Sequence, residues 1–409
     1  MKLACLSVIL VVFVYQFVLN IIDLKSAENP VHERVKDIYD ADAYQKWRRY
    51  KRDQVVSEIA FSVVELVVTL LLLSLNAFSA ISTAIGDNIY LTSLGTVGLY
   101  IAVDAVIGTV RAYVDTMVIE EKYGFNKTKP SLFVKDRIKS LLLSALLIGG
   151  LLMLFVWIYQ LLGNAIVLVF AAILMAILLL VVALYPFLSK LSNKFELLED
   201  GELKTKLTEL LTKHGYTVKS IEVMKASERT TKSNAYFAGA GKTKTIVLYD
   251  NLIEAMSTDE IVAVFAHELG HGLHKDTLKL NGLNLLNVIL VVLSMVFLVN
   301  SEPLYGAFGF TGINYGFAFI MLTYLFLPFI GLIVGLIVNA YSRRAEYKAD
   351  EQAVAEGYGA DLIGALKKLA REDFADLAPA KIIVLLIYSH PPLLERILNI
   401  EARMKEQNN

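Results

Sequence analysis

The chain has 409 residues, 56% of them hydrophobic, and a mean hydropathy of +0.55, which is too apolar for an ordinary water-soluble globule. Thirty-nine Lys and Arg against 40 Asp and Glu leave a formal net charge of −1, which gives no argument for a nucleic-acid partner. A single cysteine, Cys5, excludes an intramolecular disulfide and a cysteine-rich zinc module.

The first apolar run spans residues 3–22. Lys2 ahead of it suggests a secretory signal, but the run is about twice the length of a signal core and no small-x-small cleavage site follows. It reads as a retained spanning helix. Further runs at 59–81, 90–110, 141–162, 165–188, 283–299 and 315–340 bring the predicted spans to seven, each near the ~20 helical residues that cross a bilayer. The connections alternate in charge. Residues 23–58 carry Lys25, Arg34, Lys36, Lys46, Arg48, Arg49, Lys51 and Arg52, and 111–139 are basic again, whereas 82–89 and 301–314 have no cation. Lys/Arg-rich loops stay in the cytoplasm, so the N-terminus is expected outside and the C-terminus inside. Glu65, Asp104, Asn284 and Asn287 fall within spans, where facing lipid is costly, and should point to water or to each other.

Four segments follow: an N-terminal membrane domain at 1–188, a cytoplasmic α+β region at 189–281, two further spans at 282–340, and a cytoplasmic tail at 341–409. The α+β region opens with the helical pattern "LEDGELKTKLTELLTKHG", ending at Gly215 as C-cap. "TVKSIEVMKA" predicts a strand and "SNAYFAGAGKTKTIVLYD" a two-stranded hairpin. Its "GAGKT" is not a nucleotide loop, because Tyr236 occupies the first glycine position of that motif and a strand follows where a helix should. Ser257 with Glu260 three residues later forms a capping box that starts the next helix.

That helix carries "AVFAHELGHGLHKD", with three of the chain's six histidines in eight residues. His267, Glu268 and His271 match H-E-x-x-H. Residues four apart share a helical face, so both imidazoles can reach one Zn2+ while Glu268 stands beside the ion's open position as general base. Such an ion needs a third protein ligand and leaves its remaining site to an acidified water. His274 reads as a solvated or outer histidine. After the last span, "NAYSRRAEYKADEQAV" places Glu346 and Asp350 four apart. Glu346 can complete the metal shell and Asp350 can orient a ligating histidine; equally, both acids can pair with Arg343, Arg344 and Lys348 at the membrane edge.

Together with "EEKYGFNKTKPSLFVKDRIK" and "SHPPLLERI", these segments resemble the integral-membrane zinc metalloproteases typified by the CAAX prenyl protease of the endoplasmic reticulum. The resemblance implies a mainly α fold in which seven transmembrane helices enclose a water-filled chamber, with a small zincin-like α+β region on the cytoplasmic side. It implies one zinc per chain, held by His267, His271 and Glu346. It places Asn234 and Tyr236 on an edge strand that grips extended substrate, His390 as donor to the oxyanion, and Arg396 as support for that loop. The expected partners are a peptide or protein substrate, prenylated or unmodified, and the lipid bilayer of a bacterial plasma membrane or the endoplasmic reticulum, with no nucleic acid and no nucleotide. A quality-control protease without a lipid requirement is the alternative task. A non-catalytic seven-span transporter or scaffold is the alternative class, and it predicts no zinc.

Overall fold

The computed structural model describes residues 1–228, 235–238 and 243–407 and is mainly helical. In chain order the helices are α1 (Lys2–Ser26), α2 (Ala41–Ser74), α3 (Ala77–Ile85), α4 (Ile89–Tyr113), the single turn α5 (Glu121–Tyr123), α6 (Pro130–Leu162), α7 (Ile166–Ser192), α8 (Glu202–Lys213), α9 (Asp250–Ala255), α10 (Thr258–His274) and α11 (Asp276–Val299). The series closes with α12 (Glu302–Ala307), α13 (Tyr315–Met321), α14 (Leu327–Ala355), α15 (Gly359–Glu372), α16 (Lys381–Leu386) and α17 (Leu393–Gln407). Among the described residues, six helical stretches are long and apolar enough to cross a membrane. One of them, Pro130–Val181, runs 52 residues and is broken by the tight turn Gly163–Ala165 between α6 and α7.

The chain divides into two compact units. The first comprises Met1–Leu24, Tyr50–Leu178 and Leu283–Gly335. Its core is aromatic and aliphatic, with Phe155, Tyr305, Phe308 and Phe317 each at most 3% exposed. α13 lies close on α4, and only glycine fits there: a Cβ at Gly316 would strike the Ser93 carbonyl. The apolar run at 59–81 is not one helix. Asn76 takes the left-handed conformation (φ 54°) that Asn tolerates better than most residues, and Lys2 Nζ holds the break by donating to Ser74 O and Asn76 Oδ1, each at 2.8 Å. Glu65, expected to face water or another polar residue of the spans, lies 3.9 Å from Arg111, which also pairs with Glu58 and Asp115.

The second unit comprises Lys25–Arg49, Leu179–Gly282 and Leu336–Asn409. It contains a four-stranded sheet of β1 (Phe195–Leu197), β2 (Thr217–Met224), β3 (Ala235–Ala238) and β4 (Thr243–Tyr249), ordered β1-β2-β4-β3. β2 and β4 run parallel, and β3 returns antiparallel to β4 with Tyr236 opposite Val247, so the predicted hairpin forms. α8 ends where expected, with Gly215 at φ 74° just beyond it. Ile246 and Leu248 of β4, Leu207 and Leu211 of α8, and Ile261 and Phe265 of α10 are at most 1% exposed. Burying side chains of this size contributes about 1.5–3 kcal/mol each, which fixes α10 against the sheet.

Candidate metal centre

α10 begins with the predicted capping box. Glu260 N donates to Ser257 Oγ (3.2 Å) and Ser257 N donates to Glu260 Oε2 (2.7 Å). Ile261, Val262, Phe265, Ala266 and Leu269 are buried, which turns the remaining face, with His267, Glu268 and His271, toward a cavity of about 350 Å³. α14 passes close by at Gly270, where a Cβ would lie 2.8 Å from Ala349 Cα. Glycine inside the motif therefore lets the two helices approach until Glu346 stands opposite the histidines.

Candidate ligand atoms of His267, His271 and Glu346 all lie within 4.8 Å of one another. His267 Nε2 is 3.5 Å from Glu346 Oε2, and His271 Nε2 is 3.3 Å from Glu346 Oε1. Each imidazole has a carboxylate behind it. His267 Nδ1 is 2.9 Å from Asp350 Oδ1, and His271 Nδ1 is 3.1 Å from Asp276 Oδ2. With both Nδ1–H groups donating rearward, a tautomer assigned from these hydrogen bonds, each Nε2 presents a lone pair to a carboxylate. Electron-rich atoms facing one another at such distances repel unless a cation lies among them, and the buried Glu346 Oε2 accepts no hydrogen bond. The donor set fits a divalent metal. Without an ion, burial opposes a charged His271, yet the Glu346 and Asp276 carboxylates outweigh it and lift its pKa to about 9, so that a proton takes the place on Nε2 that a metal ion would hold.

Arg396, on α17, closes the back of the site. It donates to both oxygens of fully buried Asp350, at 2.9 and 2.6 Å, and stands 3.3 Å from Glu346 Oε2. His390 reaches the same cavity, with Nε2 3.2 Å from Glu346 Oε1 and Nδ1 3.0 Å from Ser389 Oγ. Arg343 and Asn339 fix the approach to it, donating to the Val384, Tyr388, Leu386 and Ile387 carbonyls. Arg343 is thus engaged elsewhere, and the acids face the histidines and Arg396 instead. Glu268 lines the cavity and, among the described residues, has neither a hydrogen bond nor an ion pair.

Of the two predicted substrate contacts, only Tyr236 is among the described residues, and it does not converge on the cluster. Asn234 lies outside the described residues. Ala235 lines the cavity, so its neighbour Tyr236 points to the other face of the sheet, toward Ser189 Oγ at 3.4 Å. His274, at the end of α10, does not join the ligand group. Asp276 and its partner Tyr341, whose hydroxyl donates to Asp276 Oδ1 at 2.6 Å, escaped the sequence reading. The signal for Asp276 was its place five residues after His271, legible only if the helix is known to end between them.

A family profile described as the CAAX prenyl protease N-terminal, five membrane helices, matches residues 20–190, and the profile of peptidase family M48 matches residues 196–404. A CAAX prenyl protease 1 homolog of Arabidopsis thaliana is 34% identical over 71% of this chain and 69% of its own length. CAAX prenyl protease 1 of Saccharomyces cerevisiae is 29% identical over 94% of this chain and 91% of its own. The crystal structure of S. mikatae Ste24p superposes with a TM-score of 0.89 at 27% identity, covering 98% of this chain and 99% of that one.

Proposed function

The chain belongs to peptidase family M48, and from that premise we propose that it is a zinc endopeptidase of the H-E-x-x-H type that cleaves prenylated CAAX substrates at a membrane. The observation that carries this reading is the convergence of His267, His271 and Glu346 on one point of a water-accessible cavity. His267 Nε2, His271 Nε2 and a Glu346 oxygen would hold the ion. Zinc there supplies Lewis-acid polarisation of the scissile carbonyl and acidifies a water molecule.

The remaining work falls to side chains. Glu268, uncommitted and beside the cavity, accepts the proton of the attacking water and delivers it to the leaving amine. His390 donates from Nε2 to the oxygen that gains charge, a contact of a kind worth roughly 3 kcal/mol of barrier. Asp350 holds the His267 ring in one tautomer, and Arg396 keeps Asp350 ionised and in place. An extended peptide lies along the edge of β3, whose terminal place in the sheet offers main-chain donors and acceptors for one more strand.

The topology follows from charge and length. Two passes within Pro130–Val181 make seven spans in all. Basic connections then place the N-terminus outside and the segments at 189–281 and 341–409 in the cytoplasm. The resemblance adds a water-filled chamber enclosed by the spans. The test measures zinc content of the purified full chain together with cleavage of a farnesylated peptide and its unmodified twin. One zinc per chain with faster cleavage of the farnesylated form is expected. Equal rates would assign the broader quality-control task, and a protein without zinc would defeat the metal assignment.

A further inference from the structure

The two ligand histidines have unlike carboxylates behind them. Asp350, behind His267, shares its charge with the buried guanidinium of Arg396 through two hydrogen bonds. Asp276, behind His271, has no Lys or Arg partner among the described residues. Its Oδ1 accepts from the Tyr341 hydroxyl at 2.6 Å, its Oδ2 stands 3.1 Å from His271 Nδ1, and the residue is 4% exposed. A neutral phenol orients a carboxylate without cancelling its charge, so Asp276 polarises His271 more strongly than Asp350 polarises His267.

The backbone is bent to make this contact. Lys275 caps α10 in the left-handed conformation (φ 55°, ψ 39°), which is uncommon for a residue with a side chain. That one residue breaks the helix between α10 and α11 and brings Asp276 Oδ2 to 3.1 Å from His271 Nδ1. Tyr341 lies on α14, five residues ahead of Glu346, so the helix that delivers the third ligand also fixes the partner of the second.

The geometry points to Asp276, held by Tyr341, as the positioning pair that sets the orientation and donor strength of His271 toward the metal. It rests on the metal reading above and assigns two residues that reading does not use. Replacing Asp276 by an amide leaves one oxygen to serve both Tyr341 and His271 and removes the negative charge. Tyr341→Phe keeps the charge and frees the carboxylate to rotate.

The experiment titrates full-length protein in detergent micelles with Zn2+ against a competing chelator and records the visible spectrum of the Co2+-loaded form. Asp276→Asn should weaken zinc binding by about 10–100-fold, the usual loss when a histidine's outer partner is removed. It should also shift the Co2+ ligand-field bands. Tyr341→Phe should weaken zinc several-fold, with the unfolding midpoint of the chelated protein unchanged, which a merely structural role would not allow. Should Asp276→Asn fail to fold, Tyr341→Phe decides the matter. Wild-type zinc affinity and an unshifted Co2+ spectrum in Tyr341→Phe, or in both variants, overturn the assignment. Absence of zinc binding in the unsubstituted chain defeats the metal reading itself, a result distinct from intact binding in the variants.

Discussion

Among the described residues, Glu268 differs from every other polar side chain lining the cavity in having no hydrogen bond or ion pair, which suits a group that must take up and release a proton. Glu268→Gln keeps the shape and removes the base. The expected outcome is wild-type zinc content with peptide hydrolysis reduced by at least ~10²–10⁴-fold, the typical range for a general base; near-normal turnover would reassign the base. Arg396 has the opposite character, being buried between Asp350 and Glu346. Arg396→Met strands those carboxylates without a counter-charge, and losing one partner of a buried pair typically costs about 3–5 kcal/mol. A denaturant midpoint well below that of the parent chain is expected, and an unchanged midpoint would show that the pair contributes nothing. His267, Glu268 and His271 were legible from spacing, because one helix carries all three. Glu346 was not settled that way: 74 residues and the last two spans lie between it and His271, and the neighbouring Arg343 and Arg344 offered an equally good account of an acid there.

The histidine helix is positioned by devices at its two ends, a capping box at the start and the contact at Gly270 near the finish. Gly270→Ala forces α14 outward, since the added carbon would meet Ala349 Cα at 2.8 Å and Gln352 Cβ at 3.0 Å. Overpacking of this kind costs about 1–3 kcal/mol. Because the displaced helix carries Glu346, zinc affinity should fall along with the unfolding midpoint; a variant that loses stability yet binds zinc as before would separate packing from ligation. At the other end, burial alone would raise the Glu260 carboxyl, but the Lys368 ammonium at 2.6 Å and the Ser257 N–H outweigh it and hold the group below the usual carboxylate range. A depressed folded value means the stabilisation is present above the unfolded carboxylate pKa of about 4.3 and is lost as pH falls through the folded value. Glu260→Gln should therefore lower the thermal midpoint at neutral pH and flatten its fall below about pH 4.3. An unchanged acid limb would assign that fall to other carboxylates. The box was readable because its residues are three apart, and so was the hairpin, whose alternation is local. The break at Asn76 was not, since nothing in the apolar run at 59–81 marks the long-range grip of Lys2.

At the level of the molecule, the chain alternates between its two units, leaving the first at Leu24, returning at Tyr50, and crossing again near Leu178, Leu283 and Gly335. Hydropathy reads contiguous stretches and so recognises spans, but it cannot show that residues 25–49 fold with the unit that carries the zinc motif. That grouping rests on contacts such as the Tyr39 hydroxyl donating to the Ala370 and Ala375 carbonyls, which join positions more than 300 apart. It also yields a topological test. If 25–49 belong with the catalytic unit, the loop before α2 and the histidine helix must share a side of the membrane, and the cation-free turn at 86–88 must lie on the other. In a Cys5→Ser background, Arg49→Cys, on the exposed N-terminal part of α2 at the end of the 25–49 segment, and Asp87→Cys, exposed in the turn between α3 and α4, place single thiols on these two sides. A membrane-impermeant maleimide applied to sealed vesicles should label one and spare the other, with the pattern reversing when the vesicles are inverted. Labelling of both from the same face would break the link between basic loops and the catalytic side, and with it the cytoplasmic placement of the metal centre.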